Sequence, residues 1–134
     1  MSLEIQQRDR EGVLILDLNG RLTVGPEVSI FRDRMQKLID TGSRQIVLDL
    51  QQVDYIDSTG LGALVMCYTS LQRAGGAVKL LNLSRRGIQL LVMTKLTTIF
   101  EVFDDEQNAI NSFFPDRELK RFDILSFVQQ HKDE

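Results

Sequence analysis

The feature that most constrains this chain is a repeated change of period: short strand-like apolar runs give way, each time, to stretches with helical spacing. Val13-Leu14-Ile15-Leu16-Asp17-Leu18 reads as a strand ending at Asn19-Gly20, a turn signal, and a weaker strand precedes it around Leu3 to Gln7. Val28, Phe31, Met35 and Leu38 then recur at three and four residues, with Pro26 suited to a first helical turn and Gly42 to its end. Gln45 to Leu50 is a second clear strand, and Leu61, Leu64, Val65, Tyr68 and Leu71 return to helical spacing until Gly75-Gly76. Ala77 to Leu83 is a third strand. Ser84 suits the N-cap of a helix carrying Ile88, Leu91, Val92 and Leu96. Ile99 to Phe103 reads as a last strand. Asp104-Asp105-Glu106 places acids where a helix N-terminus favours them, and Ala109, Ile110 and Phe113 continue that helix. Strands alternating with helices imply an α/β fold: a mostly parallel mixed sheet of four to five strands with four helices and an antiparallel edge from the opening hairpin.

Composition narrows the function. At 134 residues the chain is one domain, able to bury roughly two thirds of its unfolded surface without a disulfide or metal. The net charge is −3 with no basic stripe, which argues against direct nucleic-acid binding. Cys67 is the single cysteine and His131 the single histidine, too few ligands for a zinc site; no metal or cofactor is expected. No apolar stretch approaches the roughly 20 residues of a membrane span, and no signal peptide opens the chain, so a cytoplasmic protein without membrane insertion is expected.

The candidate site is Tyr55-Ile56-Asp57-Ser58-Thr59-Gly60-Leu61-Gly62-Ala63-Leu64, between the second strand and its helix. Asp57 or Ser58 is a good N-cap for a helix beginning near Thr59. A cap does not explain Gly60 and Gly62, each of which costs up to roughly 1 kcal/mol against Ala in a helix. Bare backbone lets another surface come close. The cluster also lies at the carboxyl edge of the sheet, where ligands collect in open α/β folds, and a helix N-terminus there favours negative charge. It is a poor catalytic site. Ile56 stands where an esterase elbow needs glycine, Gly62 is followed by Ala63 rather than the lysine of a P-loop, and His131 lies far downstream. Ser58 has no evident base within the chain, so an enzyme is a remote reading.

Asp57-Ser58-Thr59-Gly60-Leu61-Gly62, in this order of elements, resembles the STAS domains of anti-sigma factor antagonists over roughly residues 4–114. The resemblance implies a STAS-like fold and a switch. The partner is an anti-sigma factor that is also an ATP-dependent serine kinase. Binding it releases a sigma factor, phosphorylation of the motif serine, here Ser58, ends binding, and a serine phosphatase resets the cycle. Asp57, Ser58, Thr59, Gly60, Leu61 and Gly62, with Arg21 and Thr23 of the loop after the Val13–Leu18 strand, are the implied partner-binding residues. Two features depart from the pattern: Gly20-Arg21-Leu22-Thr23 replaces a stretch that is acidic in many antagonists, and residues 115–134 extend beyond the domain. The alternative is a non-phosphorylated scaffold subunit of a larger assembly, such as a stressosome or a lipid-transport ATPase complex.

In the extension, Leu119, Phe122, Leu125 and Val128 fall every third residue, as in one more C-terminal helix. Its stripe suits packing on the parent domain, on a second copy as a homodimer, or on a partner. Cys67 reads as a buried, inert thiol, and Met35, Met66 and Met93 as core filler. Arg32, Arg34 and Lys37 read as the wet face of the first helix and His131 as solvated. Arg85-Arg86 read as a solvated helix start or as groups facing a partner or a phosphate on Ser58.

Overall fold

The computed structural model describes residues 3–117 and Ile124. The strands are β1 (Glu4–Arg10), β2 (Val13–Leu22), β3 (Gln45–Ile56), β4 (Ala77–Leu81) and β5 (Val102–Phe103); the helices are α1 (Pro26–Asp40), α2 (Ser58–Arg73), α3 (Arg85–Met93) and α4 (Glu106–Asn111). They form one five-stranded sheet in sequential order, with β1 antiparallel to β2 and the other pairs parallel. The expected mixed α/β sheet with four helices is therefore present.

The central strands read as unbroken apolar runs because both their faces are buried. On β2 and β3, Leu16, Leu18, Ile46, Leu48 and Leu50 join the main core with Phe31, Met35, Leu64, Leu71 and Leu91 of α1, α2 and α3. Val13, Ile15 and Val47 point the other way, into a smaller core with Ala109 and Ile110 of α4. Beside α4, the Arg8 guanidinium donates to Asp17 at 2.6 and 2.9 Å and to Glu106 at 2.7 Å, and Arg10 also pairs with Glu106. This ties the opening hairpin to the last helix.

Several boundaries differ from the sequence reading. β2 runs through Asn19-Gly20 instead of turning there, with register shifts against β3 on either side of Gly20. β3 runs on to Ile56, six residues past its apolar run, because Gln52 to Ile56 pair with Asn19 to Leu22. α3 stops at Met93, and Leu96 falls in a separate 3-10 turn, Leu96–Thr98, entered through Lys95 at φ 62°. β5 is only two residues long. The stripe Leu119, Phe122, Leu125 and Val128 and the residue His131 lie outside the described residues. Ile124 is helical, half-buried and packed against the main core. No described helix is long and apolar enough to cross a membrane.

Candidate functional site

The paired ends of β2 and β3 carry the chain to the start of α1 on one side and α2 on the other. This brings the end of β2 and the loop of residues 23–25 beside the Asp57–Gly62 cluster. Arg21, expected in the loop, is instead a β2 residue paired with Tyr55, because β2 continues past Gly20, and Thr23 is in the loop. Asp57, not Ser58, is the N-cap of α2: its backbone is extended (φ −93°, ψ −177°) and its Oδ1 accepts the Gly60 N–H at 2.8 Å. Its Oδ2 accepts the Val24 N–H at 2.9 Å, and its own N–H donates to the Leu22 carbonyl at 3.3 Å. One carboxylate thus joins the helix start to the loop between β2 and α1. The Val24 N–H and then the Gly60 N–H, each donating to the charged form, hold the Asp57 carboxyl below its ordinary value.

The two glycines serve different purposes. Gly60 is buried, and a Cβ there would lie 2.8 Å from the Leu22 carbonyl carbon and closer still to its oxygen. Its missing side chain admits the chain's own β2 rather than a visitor. Gly62 is exposed, and a Cβ there would meet nothing within 4 Å. Its cost to the helix has no internal explanation.

Of the sequence candidates, Arg21, Ser58, Thr59 and Gly62 are exposed, and Asp57 and Thr23 are half-buried. Gly60 and Leu61 are turned inward, Leu61 into the main core. Ser58 occupies the first helical position, and its hydroxyl makes no hydrogen bond among the described residues. Four residues on, one helical turn away on the same face, stands Gly62, and one turn further Met66.

Met66 and Met93 are not core filler: they are 52% and 78% exposed, whereas Met35 is buried. Met66 falls off the stripe Leu61, Leu64, Val65, Tyr68, Leu71, so the helical period alone places it outside. Met93 is the last residue of α3, where the core-facing turn has ended. Tyr55, the first residue of the candidate stretch, and Val24, which the sequence reading did not single out, are also exposed beside the cluster. Cys67 is buried, as expected, and burial pushes its thiol up to about 12. Arg32 and Lys37 are exposed, and Arg34 reaches Gln7 at 3.1 Å. No group of three or more metal-ligating side chains occurs among the described residues.

The structure is an α/β domain with a sequentially ordered five-stranded sheet and an exposed serine at the start of its second crossover helix. Residues 4–109 match the family model described as STAS domain, and the chain belongs to that family. It is 29% identical over 110 residues to the anti-sigma-B factor antagonist of Bacillus subtilis (strain 168), covering 82% of this chain and 99% of that one. It is 31% identical over 111 residues to the anti-sigma F factor antagonist of Paenibacillus polymyxa, covering 82% and 94%. Among solved structures, a candidate anti-sigma factor antagonist from Thermotoga maritima superposes with TM-score 0.75 at 25% identity, covering 81% of this chain and 92% of that one. The Bacillus cell fate determinant SpoIIAA in its phosphorylated form shares the fold, with TM-score 0.65 at 20% identity, covering 82% and 99%.

Proposed function

We propose that this chain is an anti-sigma factor antagonist, without catalysis of its own, that binds an anti-sigma factor with serine kinase activity and is switched off by phosphorylation of Ser58. One observation carries the reading. Within a cluster whose acid and first glycine are committed inward, the Ser58 hydroxyl stands exposed and unengaged at a helix start, beside the bare backbone of Gly62. The family membership and the names of the relatives support the antagonist role.

The switch needs no change of fold. Unmodified, the turn at Ser58 and Gly62 admits close contact. A phosphate adds nearly two negative charges and considerable bulk at the same spot. The helix N-terminus tolerates that charge in the free protein. A partner covering it has to desolvate it or meet it with cations. Burying an unpaired charge costs several kcal/mol, and every 1.4 kcal/mol is tenfold in affinity. The Asp57 carboxylate is occupied by two backbone donors, so activation of Ser58 falls to the kinase, and a serine phosphatase removes the group afterwards. The test is incubation with ATP and each serine-kinase anti-sigma factor of the source organism, followed by mass spectrometry. One phosphate on Ser58, absent from Ser58→Ala, is the expected result; modification elsewhere, or none with any of these kinases, contradicts the reading.

A further inference from the structure

We propose that the partner engages this chain at two places: the Ser58 turn, and an apolar groove beside it that a phosphate on Ser58 leaves intact. The inference rests on the reading of Ser58 as the regulated contact. The groove, about 200 Å³ in volume, lies between the end of β3 and helix α3, and Val53, Tyr55, Leu83, Leu90 and Met93 are among its lining residues. Tyr55 and Met93 remain 46% and 78% exposed. Scattered exposed apolar residues are ordinary. Two large ones facing a common groove, an aromatic ring and an adaptable thioether, have the composition of a docking pocket.

Continuity with the switch identifies the occupant as the partner that reads Ser58. Tyr55 and Ile56 line the groove and lead directly into Asp57-Ser58, and Val24, 67% exposed, is bonded through its N–H to Asp57. A protein covering the Ser58 turn is therefore in reach of Tyr55. The charged lining is balanced, with Arg86 and Asp54 one of each sign, so apolar contact with Tyr55 and Met93 carries the docking. The phosphorylated form then keeps a weaker, groove-dependent hold, so the kinase that has acted is not lost from its substrate at once.

The test titrates each purified serine-kinase anti-sigma factor of the source organism against wild type, Met93→Lys, Tyr55→Ala, Ser58→Asp and the double variant Ser58→Asp/Met93→Lys by calorimetry. Both groove side chains project into solvent, and circular dichroism checks that the variants fold. The expected result is a loss of at least tenfold for Met93→Lys and for Tyr55→Ala, and a similar further loss when Met93→Lys is added to Ser58→Asp. Wild-type affinity in both groove variants overturns the inference, whatever Ser58→Asp does. Lost affinity in the groove variants with full affinity in Ser58→Asp supports the groove and overturns the reading of Ser58 as the switch. No binding of wild type to any of these kinases overturns both. Self-association of wild type that Met93→Lys abolishes would give the groove to a second copy of the chain and overturn the proposal.

Discussion

The two glycines of the cluster make opposite predictions from one substitution. At Gly60 a Cβ would lie 2.8 Å from the Leu22 carbonyl carbon and nearer still to its oxygen. Ordinary carbon contact begins near 3.4 Å, so α2 and the end of β2 have to part by at least about 0.6 Å. The obstacle is backbone and cannot rotate away. Parting them strains the Asp57 cap and its bond to Val24, each worth roughly 1 kcal/mol. The helix propensity gained from alanine, up to about 1 kcal/mol, offsets part of this. Gly60→Ala is therefore expected to lose about 2 to 4 kcal/mol, in the range of overpacking substitutions. At Gly62 nothing opposes the added methyl group, so Gly62→Ala should gain about 0.5 to 1 kcal/mol. At this length 1 kcal/mol moves Tm by about 4 °C, so the two variants should melt on opposite sides of wild type. Urea unfolding followed by circular dichroism reads the same difference as a shift of midpoint at constant slope. Gly60→Ala matching wild type would refute the claim that this glycine serves the fold. A destabilised Gly62→Ala would refute the claim that the helix face there is bare.

Three further outcomes follow from the packing. Asp57→Asn should cost about 1 kcal/mol at neutral pH, because an amide has one acceptor oxygen for the two backbone N–H groups of Val24 and Gly60 and sets its NH2 against one of them. Because the folded carboxyl sits below its unfolded value of about 3.9, its contribution is complete above that pH and fades as pH falls through the folded value, so the gap between variant and wild type in urea midpoint should narrow on acidification. Cys67, buried with its thiol pushed up to about 12, should react with a thiol reagent at pH 8 only as fast as the chain opens; rapid labelling of native protein would contradict its placement. Ser84 caps α3 by accepting the Gly87 N–H at 3.0 Å, so Ser84→Ala should lower stability by about 1 kcal/mol in the same urea assay.

The alternation of periods made the layers legible in the sequence, because β2, β3 and β4 are buried on both faces and therefore read as apolar runs. What it hid was pairing. Gln51 to Ile56 carries little apolar signal, and it is strand because β2 continues alongside it. That extension brings Leu22 at the end of β2 and Val24 just beyond it against Asp57. The motif itself stood out as a candidate, yet the division of labour within it did not. Whether a helical glycine faces its own carbonyl or open solvent depends on a neighbour distant in sequence, as Leu22 is from Gly60. Met93 was misread because a methionine near a helix end resembles core filler until the end of the core-facing turn is known.

The central claim is that the charge on one side chain decides binding. The most direct measurement compares the affinities of Ser58→Asp and Ser58→Ala for the serine-kinase anti-sigma factor. We expect Ser58→Ala to bind like the unmodified chain and Ser58→Asp at least tenfold more weakly, a difference of at least about 1.4 kcal/mol. Equal affinities would contradict the account, since the exposed hydroxyl at the start of α2 would then lie outside the contact.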